Sequence, residues 1–356
     1  MDNFAFRSMM KPITIFTTMV SVALLSGCIW KQDEPDLPIT TNEPDTMTAP
    51  SSTQSDKQLQ IDATWIAYWD QDDVDEEMPH LKSQHASICL FGALFDDEGR
   101  PYIHEETLNL SDSLLKTEEC DFYLTFVNDW MKEDGSSLKD TDLLYSLLGT
   151  PERARNHARD VLEMTSQLGC SGIEIDYERI RDDLELWEHF QNFLEILIAD
   201  ANELGISVRV LLEPSTPIEQ LDLPDGAEYV VMCYNLYGQG TEPGPKADEA
   251  FLCEMVSTFQ VLPDVSFALA NGGYIWNNQT GDAEQITTDE AEIRAMEEGA
   301  IPKRDPENGC LSYSYDTDDE SYTVYYGDDE TMERWQEILE DAAGTDVPIS
   351  IWRIGG

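Results

Sequence analysis

Positive charge is what this sequence has least of. Its 356 residues carry 21 lysines and arginines against 72 aspartates and glutamates, a formal net charge of -51, with the acids spread along the whole chain. Such a field repels phosphate backbones, which excludes nucleic acid as a partner and disfavours polyanions and anionic lipid surfaces. A neutral or cationic glycan meets no such barrier. Histidine is scarce too: the five, His80, His85, His104, His157 and His189, form no HExxH or similar pattern, so no metal site is expected. The seven cysteines include no CxxC pair, and Cys89 and Cys233 lie in apolar runs where a thiol behaves as a small buried hydrophobe, so mostly free thiols are expected. The acidic stretch Asp70–Glu77 lacks the glycine and closing glutamate of an EF-hand loop and reads as solvated surface.

Long apolar runs are also missing. The run Ile13–Leu25, preceded by Arg7 and Lys11, is too short and too interrupted by threonine to span a membrane, and reads as a secretion signal. It ends in Leu25-Ser26-Gly27-Cys28, which resembles a bacterial lipoprotein box. That resemblance implies removal of residues 1–27, lipid on Cys28, and a protein held by its lipid on the extracytoplasmic face of a bacterial membrane. Residues 28–58 are rich in Pro, Thr, Ser and Asp without apolar periodicity and read as a disordered tether.

What is present is a core-forming chain, 41% hydrophobic and 10% aromatic, in which strand-like and helix-like patterns alternate from residue 59 to 356. Eight strands are expected, at Ala63–Trp69, Ser87–Phe95, Phe122–Asn128, Gly172–Glu178, Ser207–Leu212, Tyr229–Tyr234, Ser266–Ala270 and Pro348–Trp352. Amphipathic stretches such as Pro151–Leu168 and Asp183–Leu204 lie between several of them. The pattern predicts one α/β domain, a (β/α)8 TIM barrel. The stretch from Tyr274 to Tyr326 is longer than one connection needs and predicts a small α+β insertion between the seventh strand and the last helix. Within it a helix is expected at Ile286–Gly299 and a strand pair at Leu311–Tyr315 and Tyr322–Tyr326, with the last helix beginning near Asp328.

The fourth strand carries the most information. In Ser171-Gly172-Ile173-Glu174-Ile175-Asp176-Tyr177-Glu178 three acids alternate with three large apolar residues, the period of an extended chain. Inside a parallel barrel this lines the interior with carboxylates and delivers the last of them to the C-terminal rim, where barrel enzymes do chemistry. Carboxylates buried close together cannot all ionise cheaply, so one holds a proton near neutral pH and can act as a general acid.

This segment resembles the Asp-Gly-x-Asp-x-Asp-x-Glu signature of glycoside hydrolase family 18, the chitinase-like barrels. Gly172, Asp176 and Glu178 match; Ser171 and Glu174 depart, in the manner of the family's spore-germination, cell-wall-lytic branch. Met232-Cys233-Tyr234-Asn235 is similar to the family's sixth-strand motif, and Trp352 ends the eighth strand where members place an indole under the reacting sugar. The run Tyr322-Thr323-Val324-Tyr325-Tyr326-Gly327-Asp328-Asp329-Glu330 is similar to the segment before the last helix in spore-germination members.

The resemblance implies hydrolysis of β-linked N-acetylhexosamine glycans with substrate assistance, no metal or organic cofactor, and no partner beyond the glycan and the lipid anchor, the protein acting as a monomer. Glu178 would be the proton donor, Asp176 would orient the acetamido group, and Tyr234 would hydrogen-bond it. Trp352, Asn235, Tyr68 and Glu174 would contact substrate, Glu174 also sharing a proton or a hydrogen bond with Asp176. Trp69, Asn128 and the pair Asp328 and Asp329 are peripheral candidates. The closing eighth helix of the family is expected to be missing, since the sequence stops at Gly356. The competing reading is a non-catalytic glycan-binding protein on the same barrel.

Overall fold

The computed structural model describes residues 59–69, 74–115, 120–133 and 135–355. The signal segment, Cys28, the tether and the first residues of the Asp70–Glu77 stretch lie outside them. In chain order the elements begin with strand β1 (Ala63–Ala67), helix α1 (Val74–Gln84), β2 (Ser87–Phe95), β3 (Pro101–Ile103) and α2 (Glu105–Leu114). There follow β4 (Phe122–Trp130), α3 (Thr141–Leu148), α4 (Pro151–Leu168), β5 (Gly172–Asp176), α5 (Leu184–Leu204), β6 (Ser207–Leu212) and β7 (Glu228–Met232). The chain continues through α6 (Glu249–Phe259), β8 (Val265–Ala270), β9 (Gly272–Asn277), β10 (Ala283–Ile286) and α7 (Thr288–Glu297). It ends with β11 (Lys303–Arg304), β12 (Leu311–Asp316), β13 (Ser321–Gly327), α8 (Asp329–Ala343) and β14 (Ile349–Trp352).

Strands β1, β2, β4, β5, β6, β7, β8 and β14 pair in parallel in that order, and β14 returns to β1, so the sheet closes into the eight-stranded barrel that the alternating pattern predicts. Alternation decides which residues fill it. Ala63, Trp65, Ala67, Cys89, Phe91, Val127, Leu211, Val230, Met232 and Ala268 pack inside the barrel, while Ile66, Ile88, Leu90, Ile173, Ile175 and Val210 face the helices. The helices bring apolar stripes to that outer core; α5 buries Leu186, Trp187, Phe190, Phe193, Leu194, Leu197, Ile198 and Ala201, at roughly 1.5–3 kcal/mol for each large side chain. Their ends are punctuated locally: the Thr150 hydroxyl accepts from the Arg153 N–H at 3.2 Å to start α4, and Gly169, at φ 88°, ends it.

Three features go beyond the sequence reading. The predicted strand pair of the insertion is part of a five-stranded antiparallel sheet, β10-β9-β13-β12-β11, with its own core of Ile275, Ala291, Tyr313, Val324 and Tyr326. Between β6 and β7 only one turn of 3-10 helix forms, Ile218–Gln220. The third concerns the missing eighth helix, since no helix follows β14 among the described residues and the seam between α8 and α1 is covered by the lead-in to β1. The Gln60 N–H donates to Gln336 of α8 at 3.1 Å, the Ile61 N–H donates to Gln84 of α1 at 2.6 Å, and Ile61 is buried. Cys89, Cys170, Cys233, Cys253 and Cys310 are free thiols.

Candidate active site

Strand β5 delivers the carboxylates. Gly172 faces inward with no side chain because Tyr123 fills that place; a Cβ there would lie 2.2 Å from its ring. Two residues on, about 6.6 Å farther along the strand, comes Glu174, and Asp176 after it. The apolar partners Ile173, Ile175 and Tyr177 anchor in the outer core, which fixes the direction of the acidic face. The ladder ends at Asp176, and Glu178 lies just beyond, its side chain 26% exposed.

Glu174 is fully buried, and its position corrects the expectation that it contacts substrate and shares a proton or a hydrogen bond with Asp176, which it reaches through its field alone. Its Oε1 accepts from Trp65 Nε1 at 2.5 Å and from the Thr125 hydroxyl at 2.7 Å, and its Oε2 accepts from Arg209 Nε at 3.0 Å and the Cys89 thiol at 3.3 Å. Arg209, opposite Glu174 in the β5–β6 register, also pairs with Glu228 at 2.9 Å. The acceptors of Glu174 are used inside the barrel, one layer below the mouth.

Asp176 and Glu178 form the upper layer. Lys139, from the loop after β4, reaches between them: its Nζ lies 2.8 Å from Asp176 Oδ2 and 2.5 Å from Glu178 Oε1. The other oxygen, Asp176 Oδ1, is buried without a hydrogen-bond partner. A buried acceptor left open in this way calls for a donor that arrives with a ligand. Burial pushes the Asp176 carboxyl up, to about 7, the Lys139 ammonium opposes this, and the negative field of Glu178 adds to it. Burial acts to lower the Lys139 ammonium, yet Asp176, Glu178 and Asp129 together raise it, so this lysine stays charged.

Tyr234, after β7, is held well above its ordinary range first by burial and then by the fields of Asp176 and Glu178, so its hydroxyl keeps its proton beside the pair. Among the described residues that hydroxyl makes no hydrogen bond. Trp352 packs inside the mouth against Phe91, with ring centroids 5.1 Å apart, and against Trp65, at 5.7 Å. Asn235, exposed and at φ 60°, accepts from the Tyr274 hydroxyl of the insertion at 3.3 Å. Tyr68 stacks on His104 at 4.1 Å, edge-on to Trp69, which is 50% exposed at the rim with the Arg353 guanidinium 5.7 Å away.

Of the peripheral candidates, Asn128 is fully buried and clamps the backbone of Glu178, accepting its N–H at 3.0 Å and donating to its carbonyl at 3.1 Å. Asp328 caps α8 and pairs with Arg304 at 2.6 Å, a structural role. Positive φ at Lys139 (55°), Arg179 (64°), Arg181 (50°) and Asn235 (60°) places non-glycine residues in the left-handed region around this mouth, a strain that persists where the surroundings fix the backbone. Sequence reasoning missed Lys139, Arg209 and Glu213, whose Oε2 accepts the Arg179 N–H at 2.6 Å. The signal for Arg209 was a lone cation between Val208 and Val210 in a strand beside the acidic one; Lys139 had no local signal beyond the rarity of lysine.

No protein-family model matches the chain, and no curated protein matches it. Solved structures do. A protein described as a sporulation-specific glycosylase, YdhD, from Bacillus subtilis is 19% identical with a TM-score of 0.63, over 74% of this chain and 90% of that one. The spore cortex-lytic enzyme SleL of Bacillus cereus is 15% identical with a TM-score of 0.68, over 84% of this chain and 72% of that one. A class V chitinase from Nicotiana tobaccum, solved in complex with NAG4, is 11% identical with a TM-score of 0.62, over 83% of this chain and 94% of that one. These likenesses show the fold: the chain is built on the barrel that chitinases and spore cortex-lytic enzymes share.

Proposed function

We propose that this protein is a retaining glycosidase that cleaves β-linked N-acetylhexosamine glycans, the acetamido oxygen of the substrate serving as nucleophile. The observation that carries the reading is Asp176 and Glu178 converging on one point at the mouth of the barrel, with Asp176 Oδ1 buried and open. In this mechanism Asp176 accepts the acetamido N–H and turns the acetamido oxygen toward C1. Protonated Glu178 gives its proton to the glycosidic oxygen as the bond from C1 breaks, and the acetamido oxygen bonds to C1 to close an oxazolinium ring. Water then attacks C1, ionised Glu178 takes a proton from it, the ring opens, and the β configuration is kept. The Tyr234 hydroxyl donates to the acetamido oxygen, and Trp352 supplies a flat apolar floor. The chitinase with NAG4 bound lends the substrate class plausibility at the level of the fold. Location follows from the sequence alone, as anchoring through Cys28 outside the cytoplasmic membrane.

One observation favours the competing reading, a glycan-binding protein without catalysis: the Lys139 ammonium sits where the reacting group would have to lie. Product analysis after incubation with peptidoglycan, chitin oligomers and N-glycan core decides between the two. A glycosidase releases reducing ends of retained configuration, is inhibited competitively by a thiazoline mimic of the cyclised acetamido group, and loses turnover by several orders of magnitude in Glu178→Gln while keeping glycan affinity. A trapped covalent glycosyl ester, or inversion in the first product, rules the mechanism out.

A further inference from the structure

Lys139 is pinned by its backbone, while its side chain is held only at the ammonium, by its two ion pairs. Reciprocal hydrogen bonds of 2.9 Å join Trp130 and Ser137, the Lys139 N–H donates to Asp129 Oδ1 at 2.8 Å, and the Asp140 N–H donates to the Asn128 carbonyl at 2.8 Å. Loop movement would break these bonds. The four-carbon stem, by contrast, passes over the Phe91 ring, with Nζ 5.6 Å from its centroid, and is 16% exposed. Beside it lies a cavity of about 390 Å³ lined by Ser137, Asp140, Thr141, Asp142, Arg179 and Arg181. Rotation about the flexible stem would move the ammonium out of the carboxylate pair toward this cavity, lined by Asp140 and Asp142 as well as by Arg179 and Arg181.

The position of Nζ has a chemical consequence. One ammonium within 2.8 Å of both carboxylates occupies the point from which Asp176 would hold an acetamido group and Glu178 would meet a glycosidic oxygen. It also favours the ionised form of Asp176, opposing the effect of burial. We propose that Lys139 is a displaceable latch: the arriving glycan pushes its ammonium out of the carboxylate pair, and the pair, now without its counter-ion, takes up the proton that the reaction spends. The acid is armed only when the site is filled. This rests on the glycosidase reading for its purpose but on the geometry of Lys139 for its operation. The other groups facing the pair are Glu174 with Arg209 below, Asp129 at the end of β4, Glu213 and Arg181 beyond β6 and β5, and Tyr234 beyond β7. None of them is placed between the two carboxylates as Lys139 is.

Two measurements test the latch. In the first, calorimetric binding of a chitin oligomer to the unmodified protein is run at one pH near 7 in buffers of different ionisation enthalpy, the binding heat being read before any reducing ends appear. The latch predicts net proton uptake on binding, lost in Lys139→Met and kept in Lys139→Arg. In the second, pH profiles of the unmodified protein should show the alkaline limb of kcat at least one pH unit above that of kcat/KM, since the two report the filled and the empty site. In Lys139→Met the limbs should coincide at the higher pH. Binding without proton uptake, superposed limbs in the unmodified protein, or a Lys139→Met variant that folds normally and shows unmoved profiles each overturns the latch. Proton uptake without any hydrolysis sustains the latch and removes the glycosidase reading; hydrolysis without uptake does the reverse; failure to bind any glycan removes both.

Discussion

Arg209 and Glu174 are each tolerable inside the barrel because the other is there. An ion pair at 3.0 Å with side chains 3% and 0% exposed leaves an uncompensated buried charge when one partner is removed. Arg209→Met should therefore cost about 3–5 kcal/mol, whereas Arg209→Met combined with Glu174→Leu should recover most of that loss. Urea unfolding of the three proteins checks this, and equal costs for the single and double variants would show that the pair is not the source. The same pair marks where the sequence stopped being legible. Alternation alone put Glu174 on the inward face, and did so correctly. It could not say that the residue across the ladder is Arg209, because register is fixed by packing on the far face of the sheet. Lys139 was harder still, since a loop residue is brought to the carboxylates by a left-handed backbone and an anchoring bond to Asp129.

The elements that hold β5 in place bury a titratable group of their own. His157 of α4 shares a hydrogen bond of 2.6 Å with the Tyr177 hydroxyl and stacks on Phe193 of α5 at 5.0 Å. Burial lowers its pKa to about 3, against about 6.5 in an unfolded chain. The folded protein keeps this imidazole neutral while the unfolded chain protonates it, so the stability it contributes is full above about pH 6.5 and is lost as pH falls from there toward 3. His157→Gln keeps a polar partner for Tyr177 without titrating in this range. Between pH 6.5 and 5 the unmodified protein should lose about 2 kcal/mol more than the variant, read from urea unfolding at the two pH values. Equal slopes would place the acid sensitivity elsewhere. Elements were legible in proportion to their periodicity: the eight barrel strands were expected from their apolar patterns, but β9, which begins Gly272-Gly273, was not among the expected strands. The glycines are there because the backbone of β13 comes so close that a Cβ on Gly273 would lie 1.8 Å from the Tyr325 carbonyl oxygen.

Across the whole molecule, negative charge dominates the mouth as well: Lys132, Lys139, Arg179, Arg181, Lys246 and Arg353 follow the C-terminal ends of barrel strands, but the same loops carry more acids, Glu133, Asp140, Glu178, Asp182, Glu213, Glu242 and Asp248 among them. Anchoring belongs to this scale as well. Cys28→Ala should move the protein from the detergent phase to the aqueous phase of a phase-separating extraction, and equal partition of the two forms would reject the lipid anchor. The way the chain enters the barrel then carries a mechanical meaning. Leu59 to Ile61 lie along the seam between α8 and α1 and lead into β1, whose first residue sits at the face opposite Asp176 and Glu178. Any tug passes lengthwise into β1, which is bonded in parallel to β2 on one flank and β14 on the other. A load entering at Ala63 would have to slide one strand between two neighbours rather than peel it from an edge, so the hydrogen bonds of both flanks would share the strain at once.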